Sequence, residues 1–376
     1  MTRYGVLALA AGFVAVGIGR TFGVIELYVI GAGFLGAVAA AAVFVAGRTP
    51  RVSGMRRVSP VALVAGDLAR VDLDLTHHGI VRSTRFGLRE RVARRVGDES
   101  AAELTVEPLG ARSRVTASYQ LPTSTRGVIE LGPLVAEVRD PLGLLRRTRP
   151  VAGVDHVLVA PRTFPVHMPN LGSGPLGRHL LGQARRLGPG EFHSLREYAD
   201  GDEPKTIHWR ASARSDKLLV KQHTVEGIRR AMVLLDVDQD SYADAASFER
   251  AVTVAASLVR SADDADLITR FVAGGVDLRG PDVASESLGV LARIDADSTR
   301  LSTLGRHPGE GVGLLLVVSG TTAGTAMAAA RELVDPTQTT VHITTDETTG
   351  GPISAAARTE AEFLSSWATL VGRGRR

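Results

Sequence analysis

The sequence predicts a membrane hairpin joined to an α+β multidomain chain, in which a small β-sandwich-like domain precedes a doubly wound α/β domain. Three observations predict it. Two uncharged apolar runs open the chain, short alternating segments fill residues 49–160, and near-continuous apolar strands alternate with helical periodicity beyond residue 226.

The chain has 376 residues, enough for two or three domains, and is 44% hydrophobic, so it can bury real cores. Its net charge of +4, from 44 basic and 40 acidic side chains, is too mild to predict a nucleic-acid partner, which needs a concentrated basic face. No cysteine is present, which excludes disulfides, thiol catalysis and cysteine-ligated zinc.

Residues 1–48 read as a two-helix transmembrane hairpin. Leu27–Gly47 is uncharged and long enough to cross a hydrocarbon core of about 30 Å as a helix. Tyr4–Gly19 is shorter and reaches the same span if Arg20 snorkels toward the interface. The RTFGVIE stretch between them allows only a tight antiparallel connection. A signal peptide is the competing reading of the first run, but the run leads straight into a second one without a convincing cleavage site. Arg48, Arg51, Arg56 and Arg57 follow the second span, so the positive-inside rule places both termini and the soluble domains on the cytoplasmic side of the plasma membrane. Gly31, Gly33, Gly36 and Ala39–Ala42 would let the two helices approach closely. The formal G-x-G-x-x-G matches GAGFLG and GSGPLG lack the strand–turn–helix context of a nucleotide site.

Residues 49–160 read as strand-rich. Leu68–Thr76 alternates, with Leu68, Val71, Leu73 and Leu75 marking one side, and Glu103–Glu107, Arg114–Gln120 and Gly127–Leu131 repeat the style between turn signals. His77 and His78 point to opposite faces of a strand, which fits a solvated strand end better than a metal pair. Asp140–Leu145 (DPLGLL) reads as a turn closing the domain.

Residues 227–376 read as the α/β domain. Met232–Asp238, Leu267–Val272, Gly313–Gly320 and Thr340–Thr344 are strands. Phe248, Val252, Ala255, Ala256 and Val259 recur at helical spacing, Ala323–Val334 is a helix, and Ala355–Val371 is a closing amphipathic helix. Asp236, Asp238, Asp240 and Ser241 sit where such sheets bind ligands, beyond a strand's carboxyl end. Oxygen ligands on a turn suit Mg²⁺ or Ca²⁺, although a solvated acidic loop without metal is the favoured reading. The D-x-D-x-D spacing resembles the D-x-S-x-S metal site of von Willebrand factor A-like domains, with acids in place of both serines. A metal-dependent adhesion module or hydrolase built on Asp236 is therefore the alternative function.

Residues 161–226 link the two domains and carry the most distinctive stretch, REYADGDEPKTIHWRASARSDKLLVKQ, residues 196–222. It holds all three lysines of the chain (Lys205, Lys217 and Lys221) and one of its two tryptophans, Trp209. Acids and bases balance across it, which predicts ion pairing, either internal or across an interface. EFHSLREY is strand-like, Asp202 is a candidate N-cap for a helix running through Ile207, and KLLVKQ returns as a strand. The segment is either an interdomain staple or a docking surface anchored by Trp209 and its neighbours His208 and Arg210. An acid–base role for His208 with Asp202 or Glu197 is the enzymatic reading. G-x-S-x-G, H-E-x-x-H and G-x-x-x-x-G-K motifs are all missing from the sequence, so the expectation is a protein that is not an enzyme.

The stretch Gly190–Arg214, GEFHSLREYADGDEPKTIHWRASAR, resembles the signature of the domain of unknown function 58 family. The matching positions are Leu195, Arg196, Tyr198, Gly201, Asp202, Ile207, Trp209, Ser212, Ala213 and Arg214; Glu197, His208 and Arg210 lie between them. The RG…LGP…DPLGL run from Arg126 to Leu144 and the paired apolar start are similar too. The resemblance implies a von Willebrand factor A-like C-terminal domain and a MoxR-type AAA+ ATPase as partner, in the assembly or activation of client proteins at the membrane. It implies no enzymatic reaction.

Overall fold

In the computed structural model, the described residues are 1–94, 99–186, 192–199, 207–223, 230–297, 313–322, 330, 338–347 and 353–372. They form two compact units, Met1–Ala160 and Pro161–Arg376.

The first unit begins with two helices, α1 (Arg3–Phe22) and α2 (Ile25–Arg48), both long and apolar enough to cross a membrane. At 1.5 Å per residue their 20 and 24 residues span about 30 and 36 Å. Helix α1 exceeds the uncharged run because Arg20 and Phe22 complete its last turn, and Gly23 closes it at φ 70°, a left-handed value that favours glycine. Most of the apolar side chains on both helices, among them Leu7, Phe13 and Val43, are exposed, which a core helix of a globular domain does not tolerate. The helices meet through small residues, but not the expected set. Gly31 is buried, and a Cβ there would lie 2.6 Å from Val16, whereas Gly33 and Gly36 face open space. Gly12 and Gly19 of α1 supply the other close contacts, against Leu35 and Tyr28. The 3.6-residue period explains this, since Gly33 and Gly36 lie on different faces from Gly31.

A β-sandwich follows. Strands β1 (Val52–Ser59), β3 (Ala69–His77) and β6 (Arg114–Leu121) form one antiparallel sheet in the order β1-β3-β6. The second sheet has the order β2-β9-β7-β4-β5, with β8 pairing on β7. Its strands are β2 (Leu63–Val64), β4 (Phe86–Arg94), β5 (Glu99–Val106), β7 (Gly127–Arg139), β8 (Arg146–Ala152) and β9 (Asp155–Ala160). Val71, Leu73 and Leu75 interdigitate with Leu88, Ile129, Leu131 and Leu134 between the sheets. Leu68 departs from the expected stripe. Strand side chains alternate with period 2, so Leu68 falls on the opposite parity and is 87% exposed, while Ala69 takes the inward place. His77 is buried rather than solvated, its Nδ1 bonded to the Gly110 carbonyl at 2.8 Å, while exposed His78 meets Ser53 Oγ at 2.7 Å. The Asp140–Leu145 turn does not close the sandwich; it joins β7 to β8, and β9 still follows.

One charged group crosses the sandwich core. Arg56 of β1, expected to be a juxtamembrane charge, buries its guanidinium between the sheets and pairs with buried Glu90 of β4. Arg56 also donates to Asp155 at 2.5 Å and the Gly153 carbonyl at 2.6 Å, and the Tyr119 hydroxyl donates to Glu90 at 2.6 Å. Burial by itself would lower the Arg56 pKa, but the hydrogen bonds and charges of Glu90 and Asp155 outweigh it and hold the pKa above its ordinary value. Burial first, and then Glu90, push the Tyr119 phenol well above its ordinary range.

The second unit contains a six-stranded mixed sheet of order β14-β13-β12-β15-β16-β17. Strands β12 (Arg230–Leu235), β13 (Ile268–Ala273), β15 (Leu314–Ser319), β16 (Thr339–Thr344) and β17 (Ser354–Ala356) run parallel, and β14 (Val276–Arg279) is an antiparallel edge. All six residues of β15 are buried, as expected for a central strand covered on both faces. Helices α3 (Gly174–Arg186), α5 (Ala245–Asp264), α6 (Val283–Leu291) and α7 (Glu360–Val371) contribute to one core with Val233, Phe271, Leu316 and Ile343. On the opposite face Leu234, Val272, Leu315 and Val317 pack with Ala330, the one described residue of the expected 323–334 helix. Phe248, Val252, Ala255, Ala256 and Val259 are all buried on α5, and Asp244 caps that helix by accepting from Ser247 N at 2.6 Å. The closing helix starts later than expected, because buried Ser354–Ala356 add a strand beside β16 and Thr359 caps the helix instead. The chain is thus two apolar helices followed by an α+β region with mixed sheets.

Candidate functional site

The distinctive segment folds on itself. Strands β10 (Phe192–Glu197) and β11 (Leu219–His223) pair antiparallel, and between them lies the short helix α4 (Trp209–Ser212). Ile207 bridges to Val220 and both are buried, so this β-branched residue serves as a strand position and not as part of the helix. The N-cap of α4 is His208, whose Nδ1 accepts from Ala211 N at 3.1 Å. The expected cap, Asp202, lies with Gly201 outside the described residues, as does the side chain of Arg196. Ser212 ties the helix to β11: its hydroxyl accepts from Leu219 N at 2.8 Å, and His208 N donates to the Leu219 carbonyl at 2.8 Å. Tyr198 N closes the other end on the Leu218 carbonyl at 2.8 Å.

What this frame presents is apolar and cationic. Trp209 is 64% exposed, and Leu195 and Leu218 are exposed as well. Arg210, Ala213 and Arg214 are exposed on or beside α4, and neither arginine is ion-paired among the described residues. Of the expected ion pairs, Lys217 with Glu197 at 2.9 Å is the one seen among the described residues, and it is a surface pair worth little stability. The structure therefore brings Ile207, His208, Ser212 and Val220 together as scaffold and leaves Trp209, Arg210 and Arg214 facing outward. The His208 Nδ1 is taken by the helix cap, and Asp202, one of the two acids expected to partner it in an acid–base role, lies outside the described residues.

The acidic loop beyond β12 is not a solvated one. Asp236 and Asp238 are buried and Asp240 is exposed. Asp236 Oδ1 accepts from Asp238 N at 3.0 Å, its Oδ2 accepts from Ser319 Oγ at 2.9 Å, and Asp238 Oδ1 accepts from Asp240 N at 3.1 Å. Asp346, beyond β16, joins this end of the sheet: Ser247 Oγ donates to it at 2.5 Å and Ala243 N at 3.0 Å. Tyr242 lies over the cluster with its hydroxyl donating to the Asp236 carbonyl at 2.5 Å. Burial, and then the charges of Asp236, Asp346 and Asp238, push that phenol well above its ordinary range. The carboxylates thus serve as turn and strand-end acceptors, and among the described residues no group of three or more His, Asp or Glu side chains is arranged to hold a metal ion. Asp346 escaped the sequence reading because its only signal is a DE pair after a strand.

The described residues thus comprise two apolar helices, an α+β region with mixed sheets and an outward-facing Trp–Arg segment. Residues 194–269 match the family described as "Protein of unknown function DUF58", so this stretch is similar to that family. No curated protein sequence matches it. Among solved structures, a β-glucosidase from Erythrobacter marinus is similar at 8% identity, over 29% of this chain and 15% of that one, with a TM-score of 0.22. The CARDB domain of a Pyrococcus furiosus protein in complex with di-metal ions is similar at 14% identity, over 30% of this chain and 94% of that one, TM-score 0.23. The ApaA protein of Bordetella pertussis is similar at 10% identity, over 30% of this chain and 94% of that one, TM-score 0.23. At such scores these likenesses carry no argument about fold or function.

Proposed function

We propose that this protein is a non-enzymatic, membrane-anchored adaptor that works with a MoxR-type AAA+ ATPase in assembling or activating other proteins. Its C-terminal unit is read as a von Willebrand factor A-like domain, in which the five parallel strands with one antiparallel edge strand support the assignment. The apolar, exposed surfaces of α1 and α2 support anchoring in the plasma membrane, and the arginines after α2 support a cytoplasmic orientation.

The observation that carries the reading is the exposure of Trp209 on a helix fixed by the His208 and Ser212 hydrogen bonds. A tryptophan held rigidly in water beside two arginines has the composition of an interface anchor, because it buries a large area at small entropic cost when a partner arrives. The test is capture of the ATPase from membranes by the full-length protein and by Trp209→Ala. Loss of about 2 kcal/mol of binding, roughly thirtyfold, is expected for such an anchor. Equal capture by both proteins, or no ATPase captured by the wild type when it is co-expressed, rejects the proposal.

A further inference from the structure

One end of the sandwich is built onto the ends of the apolar helices. Thr2, the N-cap of α1, donates its backbone N–H to the Leu144 carbonyl at 3.1 Å and its hydroxyl to the Gly143 carbonyl at 2.6 Å, both in the β7–β8 turn. A Cβ at Gly5 would collide with that same Leu144 carbonyl, so the contact is close enough to require glycine. At the other helix, Thr84 Oγ1 donates to the Arg48 carbonyl at 3.2 Å and His78 N to the Arg51 carbonyl at 2.8 Å, which places the β3–β4 loop at the end of α2. Arg112 N donates to the Gly79 carbonyl at 3.2 Å and brings the β5–β6 loop to the same end.

The three loops carry an unusual combination. Their tips expose Ile80, Val81 and Leu142, the last at 65%. Arg82, Arg112, Arg146 and Arg147 are exposed around them. The acids at this end are neutralised. Glu107 pairs with Arg85 at 3.2 Å, and buried Asp140 spends its carboxylate on Leu142 N at 2.9 Å and Leu145 N at 2.5 Å. That use of Asp140, with Gly143 at φ 68°, forms the turn that lifts Leu142 outward. Apolar tips ringed by arginine, on loops hydrogen-bonded to one another and to the ends of apolar helices, match an interfacial surface in which aliphatic groups enter the acyl boundary while guanidinium groups meet phosphate.

We infer that this end of the sandwich is a lipid-docking surface for anionic phospholipid headgroups, with Leu142, Ile80 and Val81 as the inserted tips. The inference rests on the membrane-anchoring reading of α1 and α2. The opposite end supplies an internal control, because β1 carries the chain about 25 Å away over eight residues before the exposed Val61.

The test uses the full chain in lipid nanodiscs. Since the chain has no cysteine, Leu142→Cys, Ile80→Cys and Val61→Cys each create one site for an environment-sensitive fluorophore. In discs containing phosphatidylglycerol, labels at 142 and 80 are expected to shift to the blue and to be quenched by bilayer-borne nitroxide, while the label at 61 does neither. Arg146→Glu with Arg147→Glu, combined with the label at 80, should weaken the response, since each arginine at an anionic surface contributes about fivefold. Protein retained on the discs with labels at 142 and 80 as solvent-like as at 61 overturns docking while leaving the anchor intact. Equal responses in discs of pure phosphatidylcholine overturn the headgroup assignment. Protein that fails to co-elute with the discs overturns the anchor and the docking surface together.

Discussion

The pair of Arg56 and Glu90 offers a direct test of how the sandwich is held together. Glu90→Ala would leave the Arg56 guanidinium buried with only Asp155 and the Gly153 carbonyl as partners, and would strand the Tyr119 hydroxyl. Removing one member of a buried pair costs about 3–5 kcal/mol, chiefly because the other charge is left desolvated. The two partners Arg56 retains place the expected loss near the lower end, about 3 kcal/mol. Hydrogen exchange of the full chain in detergent reads this locally, since both tryptophans lie outside the sandwich and fluorescence would miss it. Amides of β4 and β6 should exchange about a hundredfold faster in Glu90→Ala, at 1.4 kcal/mol per decade. The triple variant Arg56→Met, Glu90→Leu, Tyr119→Phe removes the charges along with the hydroxyl, and should sit close to the wild type. If Glu90→Ala exchanges less than tenfold faster, or the triple variant is the worse of the two, desolvation does not govern this core.

Three further outcomes follow from other parts of the chain. Gly31→Val should push α1 and α2 apart where Val16 and the Gly12 carbonyl crowd the position, whereas Gly33→Val should be silent; cysteine cross-linking between the helices distinguishes them. Ser212→Ala removes the hydroxyl that accepts from Leu219 N, at a cost of about 1–2 kcal/mol, and should raise protease sensitivity between residues 207 and 223. For Asp277, burial would raise the carboxyl pKa, but hydrogen bonds from Arg270 and Arg279 outweigh it and hold it down at about 2. A depressed folded-state pKa gives stability that is present above the unfolded value near 4 and lost as pH falls toward 2. Asp277→Asn should therefore flatten the acid side of the thermal stability profile between those limits, with a modest amplitude because the group is partly exposed.

Long apolar runs were legible because their signal survives local irregularity: both N-terminal helices, β12, β13, β15 and the buried stripe of α5 lie close to where periodicity placed them. Parity was the weak point in the sandwich. Leu68 looked like the start of a stripe, yet a strand admits no phase error, and a single residue reverses its face. Arg56 shows a different limit, for a charge beside a membrane segment reads as a surface charge until its partner Glu90, 34 residues later, is seen across the core. In the candidate site the strands of the Trp209 segment were legible, while the capping role of His208 was not, since Asp202 offered the more ordinary N-cap. Burial of Asp236 and Asp238 was equally hidden, because carboxylates clustered after a strand read as solvated when Ser319 is not known to face them.

The bonds between Thr2 and the turn at Gly143 and Leu144 join positions 141 and 142 residues apart. A chain made from its N-terminus exposes the apolar hairpin long before that turn exists, so the hairpin can enter the bilayer while its first helical turn still lacks its native partner. The contact is reached only after β7 has been synthesised and paired, which is a non-local step and therefore a late one. Thr2 thus records the completion of the sandwich, and a label at that position would time the event during synthesis.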